Sequence, residues 1–196
     1  MKIEKLEETN ESNYFNFIES AIRVEVAIPE PHHHDTIIGI DPGTTNLGVS
    51  IIYDSVLGIP AIVYKFKMIR DDTMLERIYT LNNILYHLAY KEDLFSMDIV
   101  GDVVIEGAAY GATHRQVELA EQRVAAALWF ITRSMEYQDE PKIHLIPPKK
   151  IRSVVFGNGD TIAEEEWKDL PKDGATALSC ALYTMIKGKR LESINK

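Results

Sequence analysis

Apolar positions change their spacing along the chain, and those changes divide it. Between Asn10 and Ile22, the residues Tyr14, Phe15, Phe17, Ile18 and Ile22 recur loosely at helical intervals, which predicts a short amphipathic helix. Arg23 to Ile28 then alternates as a strand does, until Pro29-Glu30-Pro31 stops it. From Thr36 the pattern tightens. Thr36–Asp41 reads as a strand, Pro42 to Asn46 as a turn, and Leu47–Tyr53 and Ala61–Met68 as two more strands. Asp71 or Asp72 is placed to cap a helix that carries Met74, Ile78, Leu81, Leu85 and Leu88 on one side. A buried strand over Gly101–Ile105 ends at Glu106, a long helix follows over about 113–135, and Lys142–Ile146 is a short strand stopped by Pro147-Pro148. A last helix starts near Asp173 and carries Ala177, Leu178, Ala181, Leu182 and Met185. Three strands in succession and then alternating helix and strand predict an α/β protein, a mixed sheet flanked by helices. Residues 1–35 form an N-terminal extension, residues 36–190 the domain, and residues 191–196 a C-terminal tail.

Composition narrows the class. The chain has 196 residues, 45% apolar and 26% charged, the balance of a globular protein. No apolar run approaches the roughly 18 residues of a spanning helix, and no basic-then-apolar leader opens the chain, so neither membrane nor secretion is expected. Cys180 is the single cysteine, which excludes an internal disulfide and fits a reducing cytoplasm. The net charge of −9 is a poor starting point for nucleic-acid binding. Its distribution changes that reading. Residues 1–35 hold eight acids against three basic residues, whereas Pro141 to Gly159 holds Lys142, Lys149, Lys150 and Arg152 and no acid. Lys187, Lys189 and Arg190 form a second acid-free run. His32, His33 and His34 lie in a Pro-flanked segment and read as a solvated linker rather than as metal ligands.

Three acids carry the candidate chemistry. Asp41 and Glu106 each end an apolar strand, where a carboxylate is costly unless it meets a cation or hydrogen-bond donors. Strand ends are also where open α/β sheets collect ligands. Asp173 is explained equally well as a helix N-cap, but a helix laid across the sheet would bring it to the other two. Three converging carboxylates make an oxygen pocket suited to Mg²⁺ or Mn²⁺, with room for two ions about 4 Å apart.

The motifs around these acids resemble those of RuvC-type Holliday-junction resolvases. Ile38-Gly39-Ile40-Asp41-Pro42-Gly43, with Gly48-Val49 following, is similar to the first catalytic strand of that family. Val104-Ile105-Glu106-Gly107 with Ala109-Tyr110-Gly111 looks like the second acidic motif in the form of its phage relatives. Pro148 followed by Val155, Phe156 and Gly157-Asn158-Gly159 resembles a third segment, and Asp173-Gly174-Ala175-Thr176-Ala177-Leu178 the last. The likeness spans about residues 36–188, in order. It implies an RNase H-like fold, a homodimer, and Mg²⁺-dependent endonucleolytic cutting of branched DNA such as four-way junctions, in recombination and repair. Mn²⁺ would be a substitute, two ions per site are implied, and the location would be cytoplasmic (that of the host, for a phage protein). Carried over by position, Asp41, Glu106 and Asp173 would be the catalytic and metal-binding acids. Tyr110 would lie against DNA bases, and Lys149, Lys150 and Arg152 along the phosphates. Water attacking in line would leave a 5′-phosphate and a 3′-hydroxyl.

The chain departs from that pattern at Thr176, which stands where the family has a second C-terminal Asp. A hydroxyl supplies no charge, which weakens one metal position; Asp169 is the nearest substitute. The segment between Gly159 and Asp173 is short and acidic, with Asp160, Glu164, Glu165 and Glu166. A different reading follows from these departures: a resolvase-like module that binds nucleic acid or a partner protein without cutting. The long helix carries an apolar stripe of Val117, Ala120, Val124, Leu128, Ile131 and Met135, with Ala125, Ala126, Trp129 and Phe130 on other sides. One face suits the sheet; the other needs a cover, either a second copy of the chain or Tyr14, Phe15 and Phe17 of the extension.

Overall fold

Near-continuous apolar runs give the central strands two buried faces, and the helices cover both. In a computed structural model of the chain, the described residues are 2–6, 21–26, 35–53, 61–68, 73–94, 100–108, 114–137, 141–157 and 169–194. The strands are β1 (Lys2–Leu6), β2 (Ala21–Val26), β3 (Thr36–Pro42), β4 (Asn46–Ile52), β5 (Ala61–Lys67), β6 (Val100–Glu106) and β7 (Lys142–Ile146). The helices are α1 (Met74–Lys91), α2 (His114–Tyr137), α3 (Pro148–Phe156) and α4 (Lys172–Ile194). Among the described residues the strands form one seven-stranded sheet in the order β1-β2-β5-β4-β3-β6-β7. The β3–β6 and β6–β7 pairs are parallel and the others antiparallel. The mixed sheet flanked by helices is the architecture expected from the pattern. No helix among the described residues is long and apolar enough to cross a membrane.

Parity along the strands assigns the layers. Ile38, Ile40, Val49, Ile51, Tyr64 and Ile105 pack with Leu81, Ile84 and Leu85 of α1 and with Ala126, Trp129 and Phe130 of α2. Their neighbours Ile37, Ile52, Ala61 and Val63 pack with Ala175, Leu178, Ala181 and Leu182 of α4. Val104 packs with Ile151 of α3 and with Cys180 and Tyr183 of α4.

The described part of the N-terminal extension belongs to the same sheet. Arg23 to Val26 is a strand, as the alternation indicated; Ala21 and Ile22 are strand too and not the end of the predicted helix. Backbone pairing decides this. Ile22 is registered with Lys65 on one side and Lys5 on the other, so β2 covers the open edge of β5. A polar knot pins the pairing. Arg23 Nε donates to the Tyr64 hydroxyl at 3.1 Å and lies 3.7 Å from Glu92 Oε1. Tyr53 donates to Glu92 Oε2 at 2.6 Å, and Tyr64 donates to the other oxygen of the same carboxylate. Burial, and then the Glu92 carboxylate, push both phenols up in pKa. Residues 10–20 with Tyr14, Phe15 and Phe17, and His32–His34, lie outside the described residues. At the other end, α4 continues to Ile194, through most of the stretch read as a tail.

A second correction concerns α1. Its N-cap is Thr73, neither Asp71 nor Asp72, because Glu76 completes a capping box. The Glu76 N–H donates to Thr73 Oγ1 at 3.4 Å, and the Thr73 N–H donates back to Glu76 Oε2 at 2.6 Å. The buried face is Leu81, Ile84, Leu85 and Leu88, whereas Met74 at its N-terminal end is 42% exposed.

The feature that positions the site is how closely α4 approaches the sheet. A Cβ on Gly39 would overlap the Ala177 carbonyl oxygen, and one on Gly48 would overlap that of Asp173. The Ser50 hydroxyl donates to the Ala177 carbonyl at 2.8 Å in this seam. Gly39→Ala should therefore destabilise the fold by about 1–3 kcal/mol, since the obstacle is helix backbone rather than a movable side chain. Urea unfolding checks this; an unchanged midpoint would mean that α4 rides further from the sheet.

Candidate active site

Four neighbouring strands present one row of residues beneath the start of α4. Asp41 on β3 is registered with Gly48 on β4, and Gly48 with Lys65 on β5. On the other side Asp41 follows the Ile40–Ile105 pair, which puts Glu106 of β6 beside it. Parity turns Asp41, Gly48, Lys65 and Glu106 to the face covered by α4. The first turn of α4 passes over Gly48, so Asp173 hangs between Asp41 and Lys65. The sheet and the helix start thus bring the three acids to one place.

Asp41 and Glu106 lie within hydrogen-bonding reach of each other. Both are partly open to solvent, yet protein packs densely around Asp41. Burial first, then the Glu106 carboxylate and more weakly Asp173, push the Asp41 carboxyl up to about 9. The Thr176 hydroxyl, also within reach, pulls it the other way when it donates to Asp41; the Lys172 carbonyl, 3.2 Å away, is the other acceptor for its single proton. Asp173 has a cation of its own: Lys65 Nζ lies 3.5 Å from Asp173 Oδ2. Beneath the acids, the buried thiol of Cys180 is pushed up by desolvation and then by Glu106 and Asp41.

One residue that sequence reasoning missed holds the second acid in place. Arg123 of α2 is 5% exposed, and its Nε donates to the Glu106 backbone carbonyl at 2.7 Å. Burial pulls its pKa down, and Glu106 and Asp41 oppose that. The signal was available: Arg123 falls on the same helix face as Leu119, Ala126 and Phe130, all buried. An arginine on a buried face needs an anionic or carbonyl partner.

The oxygen-rich acid pair fits a hard divalent cation, which takes one or two carboxylates and completes its shell with water and substrate oxygens. Two close carboxyls, one driven towards neutrality, are a site short of positive charge. The fit is limited to the pair. Among the described residues no three His, Cys, Asp or Glu side chains are grouped so as to hold a metal ion, and Asp173 is engaged by Lys65. Asp169 is exposed, ahead of the buried Leu170.

The basic residues flank the pair. Glu106 is registered with Ile146 of β7, and the Gly107 N–H donates to the Ile146 carbonyl at 2.7 Å. Helix α3 starts two residues later, so exposed Lys149 and Lys150 occupy its first turn beside the Glu106 strand end, with exposed Arg152 behind them. Tyr110, Asn158, Gly159 and the acids of 160–168 lie outside the described residues.

Thermus thermophilus RuvC superposes with a TM-score of 0.57 at 15% identity, covering 79% of this chain and 96% of that one. The structure of T. thermophilus RuvC in complex with a Holliday junction substrate gives 0.58 at 15% identity, over 80% and 96%. The fold is RNase H-like. No protein-family model matches the sequence. No curated protein matches it either.

The shifted carboxyl gives a pH test. Asp41 binds a proton in the folded chain up to about pH 9, but in the unfolded chain only up to its ordinary value of 3.8. Folding therefore takes up a proton between these limits, and its contribution to stability falls as pH rises through that window. In EDTA, the melting temperature should drop between pH 5 and pH 9, and Asp41→Asn should flatten the drop and raise the melting point by several degrees at pH 8. Equal pH slopes for the two proteins would show that Asp41 ionises freely.

Proposed function

We propose that the protein is a divalent-metal-dependent endonuclease that cuts branched DNA, in the manner of crossover-junction endonucleases. The observation that carries the reading is the meeting of Asp41 and Glu106 at adjacent strand ends of an RNase H-like sheet, with Asp173 hung above them. The substrate class follows from the likeness to RuvC, one of whose structures holds a Holliday junction. The form of Glu106-Gly107 with Ala109-Tyr110-Gly111 supports a phage-like branch, with action in the cytoplasm, in recombination or repair.

Mg²⁺, or Mn²⁺ in its place, would supply charge to polarise the scissile phosphate and to activate water. Asp41 and Glu106 are the groups that would hold it. Arg123 fixes the Glu106 strand end through its carbonyl, so that this carboxylate keeps its place. Lys149, Lys150 and Arg152, with the N-terminal end of α3, offer a cationic surface for the DNA backbone beside the acids. Phosphate contacts of this kind give register without reading sequence.

A second copy of the chain completes the proposal. The outer face of α2 leaves Val124, Leu128 and Ile131 between 44% and 54% exposed. Val124 and Leu128, with Met74, Ile78 and Trp129, line an apolar groove of about 660 Å³ between α1 and α2. Asn82 lines it too, and its side-chain oxygen has no hydrogen-bond partner. A two-fold dimer through this face would supply the cover and match the symmetry of a four-way junction.

A second reading is a resolvase-like module that binds nucleic acid or a partner protein without cutting. The neutral Thr176 and the Lys65–Asp173 pair favour it, since both reduce the charge available to an ion.

Cleavage of a four-way junction by the purified protein in Mg²⁺ separates the two. Asp41→Asn should slow cutting by at least about a hundredfold while junction affinity holds. Lys149→Ala with Lys150→Ala should weaken binding and lower the salt slope by about two. Junction binding with no metal-dependent cleavage would establish the second reading. For the dimer, light scattering should give twice the chain mass for the wild type and the monomer mass for Leu128→Glu, which would bury a charge in the interface; a monomeric wild type overturns it.

A further inference from the structure

We propose that Lys65 is a resident cation of the acid site, holding the place beside Asp173 that a second metal ion would otherwise take and offering its ammonium to the phosphate being cut. The proposal rests on the nuclease reading above and narrows it to one divalent ion per site.

Three observations carry it. Lys65 Nζ is 3.5 Å from Asp173 Oδ2, with both side chains about three-quarters shielded from solvent, so the pair lies in the wall of the site rather than out in solvent. The register fixes Lys65 there: the row Lys65–Gly48–Asp41 crosses three hydrogen-bonded strands, and Gly48 leaves the gap through which Asp173 reaches the lysine. Finally, the position one helical turn on, where another acid would help to hold a second ion, is Thr176, whose hydroxyl turns back to the Lys172 carbonyl at 3.2 Å. The acids number three, and one of them already has its cation.

The charges then fall into place without a second ion. Asp41 and Glu106 form the half of the site short of positive charge, and a single dication there completes it. A second dication beside Asp173 would have to displace the ammonium or sit against it, and like charges at this separation repel. A phosphodiester drawn to the ion at Asp41 and Glu106 would meet Lys65 past the Asp173 carboxylate and not across Gly48, whose open face the α4 backbone covers. Lysine suits this place: it is a compact point charge on a flexible stem, able to leave a carboxylate for a phosphate.

The test counts ions in the absence of DNA. Mn²⁺ titration of the full chain, followed by electron paramagnetic resonance, should give one tightly bound ion per chain in the wild type. Lys65→Met should admit a second ion, or tighten the first about two- to fivefold, the range expected for release of a partly exposed ion pair. Lys65→Arg, which keeps the charge, should retain the single ion and the wild-type affinity. With the junction bound in EDTA, Lys65→Met should also lower the salt slope by about one. Two ions of similar affinity in the wild type overturn the proposal and leave the nuclease reading standing. So does a Lys65→Met protein whose ion count, ion affinity and salt slope all match the wild type. A wild type that binds no Mn²⁺ overturns both.

Discussion

The site exists because the backbone of α4 lies directly on strands β3 and β4. A helix normally meets a sheet through a layer of large side chains, which would hold its first turn well away from the strand ends. Here Gly39, Ser50 and Gly48 on the sheet face Ala177, Ala181 and Asp173 on the helix, and nothing bulkier fits between. The contact is backbone against backbone. Asp173 consequently reaches a lysine on β5, the strand next to β4, a connection that a single added methyl group on Gly48 would break.

That closeness creates an electrostatic problem which two cations on opposite sides address. Three acids share a small space, and the first of them is driven towards neutrality by burial and by Glu106. Arg123 approaches from the α2 layer and takes the Glu106 carbonyl; Lys65 approaches along the α4 face and takes Asp173. Between them Asp41 and Glu106 keep an unmet need for positive charge, which is the ground for proposing a divalent ion there. On the proposed reading, stability and function pull in opposite directions here, since replacing the central carboxyl would relieve the fold and remove the ligand.

Most of the central sheet was legible in the sequence, because a short apolar run bounded by turn residues is a local signal. Strands β3 to β7, the long helix α2 and the turn at Pro42 to Asn46 all follow from it, and so do the acids at the ends of two strands. The capping box at Thr73 was legible as well, in the Glu three residues on, although Asp71 and Asp72 beside it are equally good caps by residue type. What could not be read was pairing over long range. Nothing near Ala21 says that its backbone will complete the edge of β5, and nothing near Lys65 says that an acid from the last helix will come to it. Arg123 lies between these cases: its buried helix face announced that it needed a partner without saying which.

The two sides of β5 tie these long-range facts together. Tyr64 and Lys65 are adjacent, so they point to opposite faces of the sheet. Tyr64 enters the knot of Arg23, Tyr53 and Glu92 under α1, which locks β5 against β2 and against the end of α1. A slip of one residue would bury Lys65 in that knot and turn Tyr64 towards the acids. The polar cluster under α1 therefore does more than bind the N-terminal strands to the sheet: by fixing which face each residue of β5 takes, it keeps a cation on the α4 side, at the acids.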